Sequence, residues 1–515
     1  MESHHEAPLL LQGPGLTLEQ VVAVARHGLP VALHPSVLPK IAASRQAVED
    51  MLSEGRTVYG ITTGFGLFSD IIISPEETAE LQRNLIISHA CGVGNPLPTE
   101  VVRAMLLLRA NSLCQGHSGV RLSTIEALLT LLNLGITPIV PEKGSLGSSG
   151  DLCPLSHMVL PLLGLGEADF QGERLTGAQA LHRAGMEPLQ LAAKEGLALN
   201  NGTQCMTAIG ALAVYDAQHL LELAELAAAL TLEALEGRSD AFDPQIHSLR
   251  NQEGQQTSAR LIRKHTSDSS YLSSPPHPRV QDAYALRCIP QVHGASRDAL
   301  GYVQSIVQRE LGAVTDNPLI FAADPHNATA LSGGNFHGQP IALAMDFLAI
   351  AVAELANISE RRLERLVNPA LSNGLPAFLA PQSGLHSGFM IVQYSAAALV
   401  SENKILAHPA SVDSIPSSGN QEDHVSMGTI AARKGAAVLE NAYQVLAMEL
   451  LAAAQAIDLR PPGQLGAGSQ IAYDLVRAAA PAMMSDRVIA PDIAAVANAM
   501  RNASPQLCSY NQPLS

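Results

Sequence analysis

The run IALAMDFLAIAVAELANI, residues 341–358, is the most apolar stretch of the chain, interrupted only by Asp346 and Glu354. A membrane-crossing helix needs about 20 residues with few or no charges, so this stretch reads as a helix buried in protein. Two similar Ala/Leu-rich segments, 218–237 and 436–457, carry charges only every several residues. Helices that are apolar on nearly every side belong inside a bundle, which predicts at least three long core helices. Composition agrees, because aromatics make up 3% of the chain, Trp is absent, and good helix formers prevail over strand formers. The expected fold is mainly α, with a long central helix bundle.

Between these helices lie segments rich in Gly, Ser, Pro and Asn: 60–66, 144–154, 200–204, 267–278, 332–340 and 411–422. They read as loops. A purely structural bundle joins its helices with about 2–8 residues, whereas these connections are long and polar. Loops held on a rigid scaffold concentrate binding and catalytic residues, so the bundle is expected to carry a loop-rich active-site face. No internal repeat is visible, and one compact chain is expected. Residues 1–205 are read as an N-terminal domain carrying a reactive loop, and 206–515 as the helical core with C-terminal helices, ending in a segment from Asn502 that frays.

The 515 residues include 31 Lys+Arg and 47 Asp+Glu, a formal charge of −16, with 47% hydrophobic and 15% charged residues. This is the balance of a folded protein. An acidic chain without a basic run does not fit a nucleic-acid or anionic membrane surface, so a small-molecule ligand is expected. Six scattered cysteines without a C-x-x-C pair fit reduced thiols. With two acids and no basic segment at the start, no export signal is expected and a cytoplasmic location follows. Metalloprotease, P-loop, dinucleotide-binding and serine-hydrolase signatures are all missing. His4-His5 reads as a solvated pair, and no metal site is expected.

The segment GSLGSSGDLCPLSHM, residues 144–158, matters most for chemistry. Composition alone reads it as a Gly/Ser turn before a helix, capped by Asp151. It also permits a reaction. Attack of the Gly150 nitrogen on the Ser148 carbonyl carbon closes a five-membered ring, and glycine offers both an unhindered nucleophile and the bend required. Loss of water from that adduct and from Ser149 leaves a methylidene-imidazolone (MIO), an electrophile that no side chain can supply.

Together with other blocks, this segment resembles the aromatic amino acid ammonia-lyases and aminomutases. The blocks are YGITTGFG (59–66), LQRNL (81–85) leading to Ser88-His89, NGTQ (201–204), VQDAYALRC (280–288), TDNP (315–318), SGGNFHG (332–338) and NQEDHVSMG (420–428). They span roughly residues 55 to 430 in family order, which chance similarity explains poorly. The resemblance implies a fumarase/aspartase-like helical architecture and a homotetramer whose active sites each draw on three subunits. It also implies non-oxidative loss of ammonia from an L-amino acid, through an MIO group made from Ser148-Ser149-Gly150 with no external cofactor.

By the same resemblance, Ser149 is indispensable, Tyr284 is the base for the β-proton, and Arg287 grips the substrate carboxylate. A phenol of pKa about 10 needs cationic or hydrogen-bond-donating neighbours to act as a base, and positions i and i+3 of a helical turn share a face. Asn201 hydrogen-bonds the substrate's carboxylate or amine, with Gln281 as polar support. Tyr59 stands beside the electrophile and Phe336 packs near it. Ser88-His89 with Gln421-Glu422 follows the histidine-acting branch. An imidazole, with one donor and one acceptor, satisfies His89 and Glu422, while a phenyl ring leaves them unpaired at about 1–3 kcal/mol each. The expected reaction is therefore deamination of L-histidine to trans-urocanate.

Several positions depart from the family pattern. Ser148 stands where Ala is usual, Asn200 and His117 replace apolar or aromatic residues, and NQEGQ (251–255) replaces the usual His-Pro-Gly-Gln. Only the backbone carbonyl of Ser148 reacts, so cyclisation is expected to survive. The rival readings are a tyrosine or phenylalanine lyase or aminomutase, a cofactor-free fumarase/aspartase-type lyase, and an inactive helical scaffold.

Overall fold

The computed structural model describes residues 7–74, 76–273, 276, 279–322 and 328–503. His4-His5, Cys508 and the chain beyond 503 lie outside the described residues. The architecture is mainly α, with only short strands, and the apolar runs form the long helices Gln204–Ala234, Gln339–Val367 and Gly428–Asp458. The helix Ile289–Leu311 is the fourth long one. By length and composition alone Gln339–Val367 could cross a membrane, but 67% of its apolar window is buried within the protein.

The chain divides into two compact units, the first comprising Met1–Tyr215, Gln304–Asp346 and Pro409–Arg433, and the second Asp216–Val303, Phe347–His408 and Lys434–Ser515. Each of the four long helices contributes residues to both.

In the second unit those helices are joined by buried charge. Arg362 and Glu449 are fully buried and paired through two contacts, Nε to Oε1 at 2.5 Å and Nη2 to Oε2 at 2.9 Å. Hydroxyls of Thr231 and Ser359 donate to the same carboxylate at 2.8 and 2.6 Å. The third guanidinium nitrogen lies 3.2 Å from His293 Nε2, and His293 Nδ1 lies 3.2 Å from Glu225. Burial pushes the Glu225 carboxyl up, but His293, Arg297 and the Ser258 hydroxyl outweigh it and hold it at about 2.

The first unit combines shorter helices with small sheets. Thr99–Leu113 is buried along most of its length, Arg109 included. A three-stranded antiparallel sheet is built from Thr137–Pro138, Glu167–Phe170 and Glu173–Thr176, and a hairpin pairs Leu319 with Leu331. Ala47, Val48, Met51, Ile61, Ala193 and Ile320 form one hydrophobic cluster, in which Ile61 anchors the 59–66 segment.

Removing one member of a buried ion pair strands the other, at a cost of about 3–5 kcal/mol. Arg362→Ala is expected to lose stability on that scale in equilibrium denaturant unfolding. A loss below about 1 kcal/mol would contradict the described packing.

Candidate active site

The 144–151 loop is held from several sides. Ser145 Oγ donates to the Gly150 carbonyl at 3.2 Å, Met427 N donates to the Leu146 carbonyl at 3.0 Å, and Ser426 Oγ donates to the Gly147 carbonyl at 3.3 Å. Gly150 has φ +75° and pairs with Gly202, and Asp151 N donates to the Gly202 carbonyl at 2.7 Å. A Cβ on Gly150 would stand 2.1 Å from the Gly202 carbonyl oxygen. The position therefore accepts only glycine, both for its left-handed backbone and for want of space.

Asp151 does precede a helix, Leu152–Val159, but its side chain makes no capping bond to it. The fully buried carboxylate instead accepts from Cys205 N and Met206 N, each at 2.9 Å, and from the Thr429 hydroxyl. It caps the first turn of Gln204–Ala234, a helix remote in sequence, and joins it to the start of Gly428–Asp458. Burial raises its pKa to about 6, against the three donors, which lower it.

A cavity of about 850 Å3 opens in front of this loop. Tyr59, His89, Ser149, Asn201, Phe336 and Glu422 all line it, so six of the residues singled out in the sequence meet in one place. The helix Thr78–His89 supplies a wall through Leu81, Asn84, Leu85 and Ser88, the spacing of one helical face. Ser149 Oγ donates to Glu422 Oε1 at 3.4 Å, and Ser417 Oγ donates to Oε2 at 3.1 Å. Ser88 Oγ lies 3.0 Å from His89 Nδ1, and burial lowers the His89 pKa, which favours neutral imidazole. Burial raises the Tyr59 pKa, although Gly66 N donates to its oxygen at 3.4 Å, so the phenol keeps its proton at neutral pH. Ser148 faces a smaller cavity, about 200 Å3, shared with His89 and Cys153.

Gln281, Tyr284 and Arg287 belong to the second unit and do not line this cavity. Tyr284–Arg287 is a single helical turn, as expected, and the guanidinium carbon sits 4.5 Å from the Tyr284 ring centroid. Tyr284 is 70% exposed and Gln281 is also exposed, while Arg287 Nε is buried without a partner.

The support behind Asn201 comes from residues to which the sequence reading assigns no role, although Asp316 and Gln204 fall within the TDNP and NGTQ blocks. Lys194 and Asp316 are fully buried and form an ion pair at 2.6 Å. Arg109, also fully buried, donates to the carbonyls of Asn201 and Ala198 and to Gln204 Oε1. Burial lowers its pKa to about 10, with Asp316 opposing. Of the departures noted in the sequence, Asn200 donates to Ser156 Oγ at 3.1 Å, and His117 Nδ1 lies 2.9 Å from the Ile320 carbonyl. Both are tied into the protein, and neither lines the large cavity.

A mainly helical scaffold bearing a loop-built cavity around a tight Ser-Ser-Gly bend is the architecture of the aromatic amino acid lyases. Residues 16–478 match the aromatic amino acid lyase family model. The chain belongs to this family. It is 59% identical over 490 residues to the histidine ammonia-lyase of Symbiobacterium thermophilum, covering 95% of this chain and 96% of the relative. The crystal structure of histidine ammonia-lyase from Trypanosoma cruzi superposes with a TM-score of 0.90 at 44% identity, covering 98% and 95% of the two chains. Tyrosine aminomutase from Streptomyces globisporus gives 0.91 at 39% identity, covering 98% of each.

Asp151→Asn keeps an acceptor for the two backbone N–H groups but places an NH2 opposite the Thr429 hydroxyl, which must give up its donor role, and is expected to cost about 1–3 kcal/mol near pH 7. Because the folded pKa of Asp151 is raised, the native state holds the extra proton between the reference value and about 6. Its contribution is full at low pH and declines as pH rises through that window. Wild type should therefore lose stability relative to the variant from pH 4 to beyond 6 in unfolding titrations, and a pH-independent difference would refute this assignment.

Proposed function

We propose that this lyase removes ammonia from L-histidine to give trans-urocanate, using an electrophile formed from Ser148-Ser149-Gly150. The observation that carries the reading is the meeting of His89 and Glu422 with Ser149 in one cavity. The identity of 54–59% to several histidine ammonia-lyases over nearly the whole chain supports it. Fold similarity alone does not choose the substrate, since an aminomutase superposes equally well.

The residues present fit the MIO group. Gly150 adopts a left-handed bend in a cradle that a Cβ would fill, and Ser149 lines the cavity. Closing the ring and dehydrating Ser149 releases two waters. The group supplies an electrophile that activates the substrate. His89 and Glu422 hold the imidazole by its donor and acceptor, and a carboxylate beside the ring favours this substrate over a hydrocarbon ring. Tyr59, with its proton retained, offers a hydrogen-bond donor to the same cavity as Ser149. Phe336 lines the same cavity and offers it an apolar wall.

Tyr284, Arg287 and Gln281 complete the site from another subunit of a homotetramer. Exposure of Tyr284 and its absence from the cavity lining support this reading. In that role Tyr284 takes the β-proton, and Arg287, whose guanidinium carbon lies 4.5 Å from the Tyr284 ring centroid, binds the carboxylate. Such an enzyme acts on a free amino acid in the cytoplasm.

A near-ultraviolet assay should detect urocanate from L-histidine, no product from L-tyrosine or L-phenylalanine, and no product from Ser149→Ala. Cinnamate or coumarate would transfer the proposal to another substrate. Glu422→Gln is expected to lower histidine turnover at least about 100-fold while sparing any residual tyrosine turnover, and equal losses would count against the ring assignment. Co-expressing Ser149→Ala with Tyr284→Phe should restore activity, because mixed tetramers hold some sites with both groups intact. Mixed tetramers that stay silent would argue that each site is built from one subunit.

A further inference from the structure

Glu422 is the one carboxylate among the described residues that line the large cavity, and the way it is held decides what it can bind. It ends a turn that closes on itself. Ser417 N donates to the Glu422 carbonyl at 2.9 Å, and Glu422 N donates back to the Ser417 carbonyl at 3.3 Å, an isolated antiparallel bridge. Within the turn Ser418, Gly419 and Asn420 have left-handed backbones, with φ +50°, +63° and +70°. Its tip packs closely on the 59–66 segment, where a Cβ on Gly66 would stand 2.6 Å from Ser418 Oγ.

The carboxylate is gripped from within the same turn. Ser417 Oγ donates to Oε2 at 3.1 Å, closer than its 3.5 Å approach to the Glu422 carbonyl, which already accepts from Ser417 N. Oε1 accepts from Ser149 Oγ at 3.4 Å. The two contacts differ in permanence. Dehydration of Ser149 on the proposed route removes that hydroxyl and with it the donor to Oε1, whereas Ser417 keeps its own. The carboxylate is then tethered through Oε2, with Oε1 on the Ser149 side ready for another donor. An imidazole N–H is such a donor, and a carboxylate accepts it in a charge-assisted bond. An untethered glutamate would lose side-chain freedom on binding substrate, and the tether removes that freedom beforehand.

We infer that Ser417 is a positioning residue, whose hydroxyl holds Oε2 of Glu422 so that Oε1 is presented to the imidazole N–H of the substrate. The inference rests on the histidine reading and adds to it the group that fixes the ring-binding carboxylate. Ser417 does not line the cavity, so it acts through Glu422.

Ser417 has φ −139° and ψ 177°, an extended backbone that suits a β-branched side chain. Ser417→Thr and Ser417→Val are therefore alike in shape and differ in the hydroxyl. The two are compared by kcat/KM for L-histidine in the full-length assembled enzyme, with Glu422 present and in a Glu422→Ala background. With Glu422 present, Ser417→Thr is expected within about 3-fold of wild type and Ser417→Val about 10-fold below Ser417→Thr, the worth of one hydrogen bond to a charged group. Without Glu422 the two should agree within about 2-fold, because a residue that acts through another has no effect once that partner is gone. Intact mass should show the same two-water deficit in Ser417→Val as in wild type. A gap of equal size in both backgrounds would give the hydroxyl a structural role, and no gap in either would give it none; both results overturn the inference. A Ser417→Val chain of full calculated mass would place the hydroxyl in ring formation and overturns it as well. Should the branched variants not fold, wild type and Ser417→Ala make the same pair. A wild type that releases no urocanate fails the histidine reading and takes the inference with it, an outcome distinct from an active wild type whose cycle shows no coupling.

Discussion

The buried carboxylate of Asp151 is the constraint on which the site depends. It gathers two backbone N–H groups from the start of Gln204–Ala234 and a hydroxyl from the start of Gly428–Asp458. Through its own N–H it draws the preceding residue against Gly202. Desolvation disfavours its charge, and only a full set of donors together with the partial positive charge of a helix N-terminus makes that burial tolerable. The result is a bend that cannot relax: Gly150 is held left-handed with no room for a side chain. On our reading, the same rigidity that fixes the helix start holds Gly150 in the bend from which the ring closes.

The four long helices illustrate a second use of buried charge. Arg362 and Glu449 have every strong partner they need within the second unit. Hydrophobic replacement of such a pair is often neutral for stability, so its net contribution to the fold is small. What it specifies is rotation and register, since a guanidinium fork meets a carboxylate in few geometries. Helices as rich in Ala and Leu as these would otherwise slide with little penalty.

The helices were legible because a long apolar run with sparse charges has few alternatives. Their ends were less so. The run from 218 belongs to a helix that begins at Gln204, because a carboxylate from residue 151 caps it, and no local pattern records a cap supplied from afar. The cavity was legible through unusual words: Ser149 in a Ser-Ser-Gly step, Asn201 before a glycine, and Glu422 in a polar loop all line it. Lys194 and Arg109 were not, and Asp316 was visible only as part of the TDNP block with no role attached, since charged residues are normally solvent-exposed and only the packing shows these three to be buried. Tyr284 and Arg287 do share a helical turn, as their spacing implies. Neither lines the large cavity of the single chain, and on the proposed reading, in which they serve another subunit's site, one copy carries no signature of it.

The central claim is that this chain makes its own electrophile, and mass measures that most directly. Freshly purified wild type is expected to be lighter than its sequence by two water molecules, with the deficit mapping to the peptide that carries residues 148–150. A wild-type chain of full calculated mass, active or not, would contradict the claim.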